Sequence, residues 1–143
     1  RLEFTDDTKE MKNSIACDLG GYVAEELKFD THYPGASDDL FHASAKAQNM
    51  VLLFGMSDVI GPISFMEYDD ASQTGKINIL MYGNDIAYKA SCEIQKILND
   101  AEERAKNVLI KNKDILEQIA QELIEKHELG EEELSLIFSR INL

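Results

Sequence analysis

Apolar residues recur at steps of three and four over most of the chain, which is the spacing of one face of an α-helix. The first such stretch predicts a helix over residues 8–29. Gly20 and Gly21 lie in its middle, where each glycine costs about 1 kcal/mol relative to alanine. We therefore interpret them as positions where another backbone packs closely, the alternative being a weak point between two shorter helices.

A second helix is predicted over residues 37–54. Pro34 and Gly35 indicate a loop before it, and Ser37 stands as its N-cap. An apolar stripe then continues until Gly55, which is a typical residue for ending a helix.

The helical period is lost between Met56 and Asn84, and residues that favour strands replace it. The segments 63–66 and 77–82 flank a polar loop, so a β-hairpin is predicted within residues 62–82. The helical period then returns and predicts three further helices, over residues 85–111, 113–126 and 131–141. The last two should pair as a helical hairpin. The pattern as a whole predicts an all-α fold with one small β-hairpin, in a single domain over residues 1–143.

Composition agrees with one globular domain, since 44% of the 143 residues are apolar. The 27 acidic and 14 basic residues give a formal net charge of −13, which repels phosphate backbones and argues against nucleic acid as a partner. The longest apolar run, Met50 to Phe54, is far shorter than the roughly 20 residues that cross a bilayer. Because the first residue is Arg1 and no signal pattern follows, we expect the chain to come from a longer or processed product, here as a soluble segment.

The two cysteines are expected to be buried and inert. Cys17 and Cys92 are 75 residues apart, form no C-x-x-C pair and lie in apolar-periodic stretches, where a thiol behaves as a small hydrophobe. This usage favours a reducing compartment, such as the cytoplasm or an organelle interior.

Side chains that could support chemistry are densest in one region. Asp38 and His42 are four residues apart and share a helix face, close enough for an ion pair or for two ligands to one metal ion. Both interpretations stay open: a pair of helix-capping acids with a salt-bridged histidine, or a self-contained metal site. The sequence contains no G-x-S-x-G, no phosphate-binding loop and no His-Glu-x-x-His. The full candidate set is His32, Ser37, Asp38, Asp39 and His42, with Glu25 and Glu26 earlier in the chain.

Several ordered segments resemble the peptidase domain of FtsH-type ATP-dependent zinc metalloproteases. DLGGYVAEEL at residues 18–27 is similar to that family's Leu-Gly-Gly-Arg-x-Ala-Glu-Glu-Leu, and GASDDL at residues 35–40 to its Gly-Ala-Ser-Asn-Asp-Leu. MVLLFGMSD at residues 50–58 is similar to its Met-Val-x-x-x-Gly-Met-Ser-Asp. The resemblance continues through AEERA at residues 101–105 and LGEEEL at residues 129–134, and so identifies the chain as the C-terminal part of such a domain.

The resemblance implies a zinc site to which this chain contributes one ligand. In this family the two histidines of His-Glu-x-x-His and an aspartate hold the zinc, and the glutamate of that motif is the general base. Carried onto this sequence, the aspartate is Asp39, while Glu25 and Glu26 could orient ligands or form structural salt bridges. No catalytic residue lies in this chain, which on its own should not cleave peptides.

The resemblance also implies partners and a setting. An ATPase module, in the same or a partner polypeptide, would deliver unfolded or membrane proteins to a hexameric peptidase ring, and the parent protein would be anchored to a membrane. Two departures from the family pattern, Tyr22 in place of arginine and Asp38 in place of asparagine, favour an alternative. In that alternative the chain is a proteolytically inactive module for ring assembly or partner binding.

Overall fold

The structure is a computed structural model that describes residues 7–141. Within these residues it contains six α-helices and one two-stranded antiparallel hairpin, which confirms the predicted fold class. In chain order the elements are α1 (Thr8–Asp18), α2 (Gly20–Phe29), α3 (Ser37–Leu52), β1 (Met66–Asp69), β2 (Thr74–Ile77), α4 (Asn84–Lys111), α5 (Lys113–Lys126) and α6 (Glu131–Phe138).

The hydrophobic core lies between α1, α3 and α4, which pack against one another. Each of these helices presents its apolar stripe to the other two, as the spacing of three and four residues predicts. Phe65, from the segment after α3, is also completely buried. The core side chains from the three helices include Met11, Ile15, Ala43, Ala47, Met50, Val51, Ala90, Ile97, Ala101 and Ala105.

The first predicted helix is divided in two. Leu19 ends α1 and precedes α2, and its backbone has φ −77° and ψ −5°. The prediction of one continuous helix over residues 8–29 is therefore wrong, and the alternative of two shorter helices describes this region. The physical reason is the pair Gly20 and Gly21, which together remove about 2 kcal/mol of helix propensity directly after the break.

The start of α3 differs from the sequence prediction. A short 3₁₀ turn, Pro34–Ala36, runs directly into the helix, so Ser37 is a helical residue and its side chain makes no capping hydrogen bond. At the other end the helix stops at Leu52, two residues before the predicted end. Gly55 lies in the segment that follows and has φ +63°, a left-handed conformation that glycine adopts without strain.

The β-hairpin is shorter than predicted and its strands are shifted toward the turn. Met66 pairs with Ile77 and Asp69 with Thr74, which places four residues in each strand. Just outside the ladder the Asn78 amide still donates to the Phe65 carbonyl at 2.8 Å, whereas the Phe65 amide donates to the carbonyl of Leu52. This hydrogen bond ties one end of the hairpin to the end of α3.

The last two helices form an antiparallel hairpin, as predicted. Lys126 near the end of α5 lies 2.7 Å from Glu133 Oε1 near the start of α6, and Arg140 donates a hydrogen bond to Gln118. The final helix ends at Phe138, three residues before the predicted end.

The prediction of buried cysteines is wrong. Cys17 on α1 and Cys92 on α4 are both exposed and carry free thiols. Each lies beside the apolar stripe of its helix but outside the part that the core covers. Within residues 7–141, no helix combines the length and the apolar character needed to cross a membrane.

Candidate metal-ligand site

The candidate site is built around the first turn of α3. Asp38 and Asp39 are the second and third residues of this helix, where unpaired backbone amides favour carboxylates. Asp39 is half-buried, whereas Asp38 and His42 are exposed. The two acids therefore have different surroundings although they are adjacent in sequence.

The Asp39 carboxylate lies against Gly21 of α2. A Cβ atom placed on Gly21 would lie 2.9 Å from Asp39 Oδ2, whereas one placed on Gly20 would have no atom within 4 Å. The expectation that these glycines admit another backbone is therefore wrong, because Gly21 makes room for a side chain and Gly20 faces open space. The N-terminal turns of two helices, α2 and α3, thus meet at one carboxylate.

Asp38, Asp39 and His42 make no side-chain hydrogen bond or ion pair with any residue between positions 7 and 141. The ion pair predicted between Asp38 and His42 is therefore not formed, and the His42 ring instead contacts the edge of Phe41 at a centroid distance of 5.6 Å. Among the described residues, the half-buried carboxylate of Asp39 thus has neither a hydrogen-bond donor nor a cation as a partner.

Glu25 and Glu26 of α2 have structural partners. Glu26 Oε2 lies 2.8 Å from Lys106 Nζ on α4, and this contact raises the pKa of Lys106. Glu25 Oε2 accepts a hydrogen bond of 3.1 Å from the backbone amide of Tyr33. These two contacts hold α2 against α4 and fix the loop that leads to α3.

His32 is separated from the other candidate ligands. Its ring stacks on Tyr22 at a centroid distance of 4.0 Å with an interplanar angle of 5°. In the part of the chain that the structure describes, no three histidine, cysteine, aspartate or glutamate side chains come together in a metal-binding group. The four-residue site formed by His32, Asp38, Asp39 and His42 is thus not assembled.

The chemistry of the described residues fits a zinc site to which this chain supplies one ligand. Catalytic zinc sites use three protein ligands, and a carboxylate oxygen is a normal member of such a set. Asp39 offers an unpaired carboxylate in a position that Gly21 shapes. Sequence reasoning missed that contact, although a pair of glycines inside a helical pattern was its visible signal.

The chain resembles proteins of one peptidase family along most of its length. The sequence model of the family described as "Peptidase family M41" matches residues 3–137. The ATP-dependent zinc metalloprotease FtsH of Bacillus subtilis is 39% identical over 132 residues, which cover 87% of this chain and 20% of that protein. The ATP-dependent zinc metalloprotease FtsH 4 of Sorangium cellulosum is 36% identical over 140 residues, covering 96% of this chain and 21% of that protein.

These relatives are much longer than the chain, which spans about a fifth of the length of the curated relatives it matches. The family match over residues 3–137 shows which family the chain belongs to, and the identities above 30% agree with it. The chain belongs to peptidase family M41.

Proposed function

We propose that the chain is part of the zinc peptidase domain of an FtsH-like ATP-dependent metalloendopeptidase, with Asp39 as one zinc ligand. Two histidines from a segment outside this sequence would complete the ligand set. Together with an ATPase module, six such domains would form a ring that degrades unfolded or membrane proteins. The parent protein would be membrane-anchored and this domain would work in a reducing compartment.

One observation supports the proposal most directly, namely the state of the Asp39 carboxylate. It is half-buried, lies where two helix N-termini meet, and has no partner among residues 7–141. Placing a carboxylate in a half-buried position without a partner costs free energy, and a bound cation offsets that cost. Asp38, one residue away, also has no partner among these residues, but its carboxylate is exposed to water and therefore does not bear that cost.

The roles of this chain's residues follow from their contacts. When bound, zinc acts as a Lewis acid on a scissile carbonyl group. Asp39 would supply a carboxylate oxygen to it. Glu26, through Lys106, keeps α2 and hence the wall beside Asp39 in place. Glu25 restrains the loop between α2 and α3 through the Tyr33 amide.

The test compares Asp39→Ala with Asp38→Ala in the complete protein, with zinc affinity measured by titration calorimetry and peptide cleavage measured in parallel. For Asp39→Ala we expect a loss of affinity greater than the roughly 10- to 100-fold that removal of an outer-shell partner causes. The neighbouring Asp38→Ala is the matched control and should bind zinc as the wild type does. Wild-type affinity in Asp39→Ala would show that Asp39 is not a ligand.

A second candidate function is a proteolytically inactive module for ring assembly or partner binding. Tyr22 supports it, because this residue replaces the family's arginine and its ring is occupied by the stack on His32. The complete protein would then neither bind zinc at this site nor cleave peptides, yet would form a discrete assembly in light scattering without metal. A metal-free monomer would count against this candidate.

A further inference from the structure

We propose that Gly21 is a positioning residue for Asp39: its missing side chain leaves the volume that the carboxylate occupies. The inference rests on the proposed role of Asp39 as a zinc ligand. It concerns a different residue, on a different helix, and it can fail while that role stands.

The geometry is specific to one of two adjacent glycines. A Cβ atom on Gly21 would lie 2.9 Å from Asp39 Oδ2, closer than carbon and oxygen approach without repulsion, whereas a Cβ on Gly20 would meet nothing within 4 Å. Both residues lie in the first turn of α2 and neither has a positive φ. Alanine can therefore adopt the backbone conformation at either position.

When these atoms collide, the carboxylate yields and the helix does not. Asp39 is held by no hydrogen bond or ion pair among residues 7–141, so its end can rotate away. The backbone of α2 is anchored by the completely buried side chain of Val23 in the core and by the ion pair of Glu26 with Lys106, at 2.8 Å. A methyl group at position 21 thus moves the ligand and leaves the fold intact.

Such a displacement matters because metal ligands must be held to within about 0.5 Å of their productive geometry. Most ligands are oriented by a hydrogen bond from a neighbouring group. For Asp39 the described residues offer the close surface of Gly21 instead. Shape, rather than hydrogen bonding, selects the carboxylate position.

The experiment compares Gly21→Ala, Gly20→Ala and Asp39→Ala in the complete protein. Zinc affinity is measured by competition with a chromogenic chelator, the visible spectrum is recorded after substitution with cobalt, and the unfolding midpoint is recorded without metal. For Gly21→Ala we expect zinc affinity to fall about 10- to 100-fold, as for loss of an orienting group. Its cobalt spectrum should shift toward that of Asp39→Ala, and its metal-free unfolding midpoint should not fall. Gly20→Ala should match the wild type in affinity and spectrum.

The outcomes separate the two proposals. If Asp39→Ala loses zinc while Gly21→Ala binds it like the wild type, the positioning role is overturned and the proposed function stands. If Asp39→Ala keeps its zinc, the proposed function fails and the positioning role with it. A fall in the metal-free unfolding midpoint of Gly21→Ala, or an equal loss of zinc in Gly20→Ala, would assign the effect to the helix and overturn the inference.

Discussion

Two parts of the molecule are predicted from the same helical pattern but are held together differently. The bundle formed by α1, α3 and α4 contains most of the completely buried side chains, among them Ile15, Ala47 and Met50. In the C-terminal arm, α5 and α6, the buried apolar residues are Ile115 and Ile137, one from each helix. Periodicity therefore predicts that a helix forms, but not how much of its apolar face becomes covered.

The arm compensates with polar contacts. Lys126 bridges Glu122 and Glu133, and Arg140 donates to Gln118, so side chains at both ends of the two helices meet. Such exposed contacts contribute little free energy each compared with apolar burial. We therefore expect the bundle to determine global stability and the arm to open locally at lower cost.

The largest expected effect is on the free energy of unfolding, when a buried isoleucine is replaced by alanine in each of the two parts. Ile15→Ala in the bundle should lower the free energy of unfolding by about 2–5 kcal/mol, since both the transfer term and the cavity term are paid in a closely packed interior. Ile137→Ala in the arm should cost no more than about 2 kcal/mol, because the exposed surroundings of α6 can collapse onto the gap. Urea denaturation followed by circular dichroism measures both.

Both isoleucines are nearly inaccessible, at 0% and 4% exposure, so the difference between the variants reports their surroundings and not their own burial. Ile124→Ala, on the exposed side of α5, is the control and should have an effect of at most about 0.5 kcal/mol. Equal losses for the two buried isoleucines would show that the arm is as strongly coupled to the core as the bundle helices are.

The same contrast explains what sequence alone could predict. The sequence predicts the bundle helices because their apolar stripes repeat locally. It also predicts the start of α3 at residue 37, because Pro34 and Gly35 indicate a loop before it. The break at Leu19 is one of two outcomes that the sequence allows, because the propensity cost of Gly20 and Gly21 does not reveal whether packing overcomes it. The observed strand bounds differ from the predicted ones because strand propensity does not reveal the cross-strand register or contacts such as the Phe65 amide with Leu52.

The sequence names a candidate ligand but does not give its geometry. A family resemblance pointed to Asp39, whereas its contact with Gly21 joins residues 18 positions apart on two helices. Asp38 and Asp39 are the same residue type in one helical turn, but Asp39 lies on the face of the buried Ala36 and Ala43, which explains why Asp39 is half-buried and Asp38 exposed. The contact with Gly21 depends on the packing of α2 beside α3, which no local pattern encodes.

A second prediction compares an ion pair inside the bundle with one that joins α2 to the arm. Lys46 lies 2.6 Å from Asp18 Oδ2 between α3 and α1, with exposed side-chain fractions of 19% and 21%. Lys28 and Glu117 link α2 to α5 with fractions of 58% and 51%. Lys46→Ala should cost about 1–3 kcal/mol, because a buried carboxylate oxygen loses its cation. Lys28→Ala should cost at most about 1 kcal/mol.

Thermal unfolding of both lysine variants beside the wild type gives the comparison. Adding salt should reduce the contribution of the Lys28 pair more than that of the Lys46 pair, because exposed charges are screened more strongly. If Lys28→Ala destabilised the protein as much as Lys46→Ala, the contact between α2 and the arm would contribute more to stability than its exposure suggests.

The smallest expected effect is confined to the arm and depends on pH. Hydrogen bonds from Gln118 and Lys126 lower the pKa of Glu122, and those from Lys126 and the Gly130 amide lower the pKa of Glu133, both from an ordinary value of 4.5. A carboxylate with a lowered folded-state pKa adds stability that is complete above the unfolded pKa and is lost as pH falls through the folded one. The contact between α5 and α6 should therefore weaken below pH 4.5.

At the alkaline end the sign reverses. The hydrogen bonds to Glu133 and Glu122 raise the pKa of Lys126 above 10.5, so its contribution is complete below that pH and is lost only at higher pH. Amide protection in α6, corrected for intrinsic exchange, should be greater in the wild type than in Lys126→Gln at neutral pH. Below pH 4.5 the amide protection of α6 should become equal in the two proteins. A difference that persisted in acid would mean that Lys126 supports the arm by packing its aliphatic stem, so that apolar contacts stabilise this part of the molecule as they do the bundle.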